Sequence, residues 1–398
     1  MFASTLAKSV STTPAPLSDN SSRKCRCLRA EALMLASRYS YGFARFAFGL
    51  LLPQIGADLA LGPELRGAIA GSAFATYCVT IIASAYLTER VGATVVATIA
   101  AIVAAIGMAG IALAPSALIL AISVMVAGAS TGLASPPMAA VVAAAVPPSG
   151  QDGTNTTINA GASVGVALSG PIALAMAEQW RLGFAIFAAM AAILAVITAA
   201  LLPNAQTGKR VAGAPVTSTS LLRLIAATFL MGAASTAVWS FGGEVVSRQP
   251  AWEPAGVSLL WSCIGLGGIT GIWAGGCIAR FGLVPVHWTF LVLMATAILS
   301  FGSGAGTPAM VLLGGAVFGA AYVMLTGVYL VWGVRTLADR PATGLMIAFL
   351  TIAIGQTVGA PLFGLLLGSF GAMPSVATFA AFALAAGCAP ENTAKSGI

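Results

Sequence analysis

Twelve long apolar runs, each close to the length that crosses a bilayer, fill most of this 398-residue chain, and one short basic linker parts them at the middle. The runs fall at about 32–55, 67–88, 93–113, 117–145, 155–177 and 182–202, then 221–246, 255–278, 284–303, 308–335, 342–369 and 373–389. With 59% hydrophobic and 7% charged residues, no water-soluble fold could bury this much apolar surface. Runs such as 94–113 and 186–202 are apolar on every face, which excludes the alternating strands of an outer-membrane barrel. Inside lipid each spanning segment must satisfy its own backbone, so the spans are helices. The expected fold is all-α and polytopic, with about 12 transmembrane helices in two pseudo-symmetric six-helix bundles. These are residues 31–202 and 221–389, joined by a cytosolic linker, 203–220, and flanked by tails at 1–30 and 390–398.

A net charge of +7 would suggest nucleic acid in a soluble protein, but here it follows the loops. If the amino terminus is cytosolic, thirteen of the 18 Lys and Arg fall on that side, and only Arg66, Arg181 and Arg248 fall on the other, with Arg38 and Arg45 inside the first span. Such bias orients both termini into the cytosol, so the lipid bilayer and not nucleic acid is the expected partner, and a monomer is the expected state. Residues 1–30 are rich in Ser, Thr and Pro and lack the apolar core of a secretory signal, which reads as a disordered cytosolic extension. Cys25 and Cys27 sit on that tail while Cys78, Cys263, Cys277 and Cys388 fall in apolar runs, so no structural disulfide is expected. One His, His287 at a cytosolic edge, and no Cys or His cluster predict no metal and no enzyme; without a phosphate-binding loop, no cofactor is expected and a gradient must drive any work.

Overlaid at an offset of 190 residues, the halves pair Arg90 with Arg280, Gly92 with Gly282, Gly165 with Gly355 and Pro171 with Pro361. Glycines recur at four-residue steps inside spans, as at Gly128 and Gly132 or Gly355 and Gly359, which places small faces where helices pack closely.

The loop after the second span ends Glu89-Arg90-Val91-Gly92 and its counterpart ends Ala279-Arg280-Phe281-Gly282. Both resemble the signature loop of the major facilitator superfamily, although Glu89 stands for the usual Asp and Ala279 leaves the second copy without its acid. Arg38-Tyr39-Ser40-Tyr41-Gly42 with Arg45-Phe46, Asn159-Ala160-Gly161, and Trp180-Arg181 resemble the YbfB/YjiJ-like bacterial branch. The resemblance implies the superfamily's fold, a bacterial cytoplasmic membrane, and a gating role for Glu89, Arg90, Gly92, Arg280 and Gly282. In particular, Glu89 would latch against the amino-terminal end of the eleventh helix when the cytosolic side is closed.

Arg45 lies about halfway along the first span, where its insertion costs at least about 2.5 kcal/mol, so it should face a cavity or a partner. Arg38, Tyr41, Arg45 and Gly49 recur at three- or four-residue steps and form one helical stripe. Asn159, Tyr322, Thr326, Tyr329, Gln356 and Trp239 are further polar or amphipathic groups in spans and complete the expected substrate pathway. Glu244, near the outer end of the seventh span, is the best titratable candidate for a proton carrier. The expected function is secondary transport of a small-molecule substrate by alternating access, as proton-linked efflux; the alternatives are uptake of an organic anion, or a transporter-shaped sensor that moves nothing.

Overall fold

The computed structural model describes residues 48–145, 148–176, 179–201, 219–248, 252, 254–302, 307–337 and 341–389. Helices account for nearly all of them. Residues 48–58 (α1) are followed by α2 (Pro63–Val91), α3 (Ala93–Ala112), α4 (Ala117–Ala145), α5 (Pro148–Ala175) and α6 (Trp180–Leu201). Beyond the linker come α7 (Thr219–Trp239), α8 (Gly242–Ser247), α9 (Pro254–Gly268), a 3-10 turn (Ile269–Trp273), α10 (Ala274–Phe281) and α11 (Leu283–Gly302). The chain closes with α12 (Pro308–Thr336), α13 (Pro341–Phe370) and α14 (Ala372–Ala385). Among the described residues, nine stretches are long and apolar enough to cross a membrane.

Two predicted spans are interrupted. The seventh breaks after Trp239, at Ser240 and Phe241, where Gly242 and Gly243 follow and α8 restarts the helix. The eighth passes through the 3-10 turn between α9 and α10, beside Gly267, Gly268 and Gly271. Irregular backbone at membrane depth is tolerated where protein, not lipid, surrounds it.

The packing repeats between the halves. In the first, α4 lies along α2 and α3, and α6 along α3; in the second, α12 lies along α9 and α11, and α14 along α11. The halves meet where α2 runs against α13 and α5 against α9. Three hydroxyls lace α2 to α4: Thr76 donates to the Met125 carbonyl at 2.9 Å, Thr80 to Ala129 at 3.0 Å and Ser84 to Leu133 at 2.7 Å. The donors advance four residues at a time and so do the acceptors, which only parallel helices allow. Gly128 and Gly132 on α4 face the α2 backbone at Ala73 and Tyr77, so a methyl group there would force the pair apart. Large apolar side chains such as Val79, Ile106, Leu118, Val196 and Leu313 remain exposed on the outside of the bundles, the surface that lipid covers.

Candidate transport pathway

At the centre, α1 of the first half meets α7 of the second. Gly49 stands so close to the Trp239 carbonyl that any side chain there would collide with it. Around them Phe48, Ala70, Phe74, Ile111, Val124 and Trp239 leave a gap of about 20 Å³, room for a single water. Gly49 belongs to the stripe that also holds Arg38, Tyr41 and Arg45; those three lie outside the described residues. Asn159 lies on α5, and its side chain too is outside them.

Three of the predicted pathway residues come together in the second half. Gln356 of α13 is fully buried, and its amide nitrogen donates to Ser235 Oγ of α7 at 3.2 Å and to the Tyr322 hydroxyl of α12 at 3.3 Å. The Trp239 ring stands edge-on to Tyr322, with centroids 5.2 Å apart, and to Phe318 at 5.5 Å. An amide, a phenol and an indole from three helices therefore converge beside the contact with α1. Such a set can hold a polar, partly aromatic solute by hydrogen bonds and ring contacts. Sequence reasoning missed Ser235 and Phe318, since one hydroxyl or one ring in an apolar span carries no pattern.

Thr326 and Tyr329 make other hydrogen bonds. The Thr326 hydroxyl donates back to the Val323 carbonyl at 2.6 Å, within its own helix. The Tyr329 hydroxyl is 2.9 Å from His287 Nε2 of α11 and donates to the Ala227 carbonyl of α7 at 3.4 Å. His287, near the start of α11, is buried between Tyr329 and Trp332.

The signature loops take one backbone form twice. Gly92 (φ 90°, ψ 156°) closes α2 and Gly282 (φ 85°, ψ 160°) closes α10; the amide of the first donates to the Thr88 carbonyl and that of the second to Ile278. Only glycine adopts this conformation readily. Arg90 stacks 4.2 Å over the Tyr86 ring and Arg280 lies 5.4 Å from Phe281. Glu89 is exposed, and among the described residues no ion pair includes it.

Charge is arranged differently on the opposite face, which carries the α1–α2 turn. The three basic residues assigned there by sequence each meet a carboxylate: Arg66 and Arg248 pair with Glu244, and Arg181 with Asp58. Glu244 thus sits between two guanidinium groups and is not free within the pathway. Beside this cluster a crevice of about 1150 Å³ opens between α1, α6 and the start of α9. Gln54 and Trp252 line it, and their Oε1 and Nε1 atoms are buried without a hydrogen-bond partner among the described residues.

Two helix bundles with repeated packing, an interrupted seventh span and a buried polar cluster beside the contact with α1 define a polytopic membrane protein with the fold of alternating-access transporters. Residues 34–224 match the family model described as the Major Facilitator Superfamily. A variant of the nucleoside transporter NupG superimposes with a TM-score of 0.77 at 15% identity, covering 92% of this chain and 98% of that one. The xylose transporter XylE from E. coli, in a partially occluded inward-open conformation, gives 0.77 at 15% identity, covering 94% and 100%. A bacterial homologue of the human lysosomal transporter Spinster, inward-facing, gives 0.70 at 14% identity, covering 92% and 96%. No protein of curated function matches the sequence. The fold is therefore that of the major facilitator superfamily, and the family match supports the same assignment.

Proposed function

We propose that this chain is a major facilitator superfamily member, in the YbfB/YjiJ-like branch, that moves a small organic solute across a bacterial cytoplasmic membrane by alternating access. It works as a monomer with both termini cytosolic, its bundles being 31–202 and 221–389. The observation that carries this reading is the cluster of Gln356, Ser235, Tyr322 and Trp239 at the contact between the halves, since buried hydrogen-bonding groups in lipid are costly and mark a pathway. Arg45 is assigned to the same pathway from its sequence position alone, four residues before Gly49, which touches Trp239.

Coupling is read as proton-linked, with efflux as the direction. The pairing of Glu244 with two arginines favours the second reading, uptake of an organic anion recognised by Arg45, because Glu244 is then a structural charge and the positive group in the pathway awaits its counter-ion from the solute.

Flux into proteoliposomes tests all three readings. Solutes of the neighbours, nucleosides and xylose, together with aromatic carboxylates form the starting panel. Saturable movement that is lost in Gln356→Leu and Arg45→Gln is expected, with a carboxylate preferred if the second reading holds. Folded protein that moves no compound in either direction, with or without a proton gradient, leaves the sensor.

A further inference from the structure

One charged cluster joins the halves. Arg66, in the first turn of α2, is ion-paired with Glu244 of α8, and the other oxygen of Glu244 meets Arg248, one turn further on, at 2.5 Å. The Glu244 side chain is 3% exposed, that of Arg66 14% and that of Arg248 50%. One buried carboxylate is therefore shared by an arginine of the opposite half and an arginine of its own segment. Arg66 reaches it by lying across α1 at Gly56, where any Cβ would collide with Cζ, Nε and a terminal nitrogen of the guanidinium. Its Nε also donates to the Leu61 carbonyl at 2.8 Å, which fixes the angle of approach. Nearby, Gly67 of α2 lies against the Ala360 carbonyl of α13, and Gly364 of α13 against that of Pro63, so α2 and α13 are in close contact at this face. At the other face Glu89 is exposed.

We propose that Arg66, Glu244 and Arg248 form a two-partner latch for the α1–α2 face, with Gly56 positioning Arg66 and Arg248 holding the carboxylate when the halves part. A carboxylate left without a counter-charge is strongly disfavoured, whereas breaking one of two pairs leaves it compensated. The two arginines thus act in opposite senses. Neutralising Arg66 removes the link between halves and favours opening. Neutralising Arg248 removes the repulsion between the guanidinium groups and strands Glu244 on opening, which favours closure. A cluster that serves folding alone predicts the same direction for both.

The latch rests on the alternating-access reading, yet its test needs no solute. The full chain, with native cysteines replaced, is placed in lipid nanodiscs and spin-labelled at Leu113→Cys, beyond α3, and Phe370→Cys, at the end of α13; both positions are exposed and lie on the α1–α2 face. Electron–electron distances across that face are then compared among variants. In Arg66→Gln and in Gly56→Ala, which keeps every charge, a second and longer distance is expected, while Arg248→Gln retains only the short one. An unchanged distribution in Gly56→Ala, or lengthening in Arg248→Gln like that in Arg66→Gln, overturns the latch. Failure to move any solute, with these distance shifts intact, counts against the transport reading and not against the latch.

Discussion

Tyr322 and Tyr329 share one face of α12, seven residues apart, and their surroundings separate them. Tyr322 meets Gln356 and Trp239 at the contact between halves, while Tyr329 is enclosed by His287, Trp332 and the α7 backbone. A hydroxyl in lipid demands a partner in either place, so composition alone treated the two alike. The consequence is a divergence between stability and transport. His287→Phe leaves the Tyr329 hydroxyl without its nearest partner and is expected to cost about 1–3 kcal/mol of stability, read as a lowered thermal midpoint in detergent, with flux retained in the surviving protein. Loss of flux at full stability would instead return Tyr329 to the pathway.

At the scale of elements, the offset of 190 residues found its physical counterpart. Gly92 and Gly282 were paired by number, and the structure shows why glycine is needed at both: each ends a helix at positive φ with extended ψ, so the next helix can start at once. Gly92→Ala and Gly282→Ala are each expected to lower stability by about 1–3 kcal/mol, the cost of forcing a side chain into that region. Being in different halves, the two effects should add in the double variant within about 0.5 kcal/mol. A thermal-unfolding series over the four proteins checks both points. The interrupted spans were less legible. The stretch 221–246 reads as one largely apolar run, and the stop at Trp239 coincides with the approach of α1 at Gly49 and Gly243, which hydropathy does not register.

For the whole molecule, the same pairings occur in both halves, and the interface is carried by α2 with α13 and α5 with α9. Orientation in the membrane is a separate matter, argued from thirteen basic residues against three. That asymmetry predicts that an impermeant thiol reagent applied to intact cells labels Leu113→Cys on the α1–α2 face but not Glu89→Cys on the α2–α3 face, in a cysteine-free background. Inverted vesicles should reverse the pattern. Labelling of Glu89→Cys from outside intact cells would invert the topology.

The sequence by itself determined the solvent and the class of secondary structure, because hydropathy acts residue by residue along the chain. Gln356, Tyr322 and Trp239 stood out in the sequence as large polar or amphipathic side chains within spans, whereas the small hydroxyl of Ser235 did not. Only the tertiary structure decided which of them meet, that Tyr329 pairs with His287, and that Glu244 is held between Arg66 and Arg248. These depend on contacts between residues far apart in sequence, where distance and angle set the energy of an ion pair or a hydrogen bond, and such geometry leaves no periodic trace in the order of the amino acids.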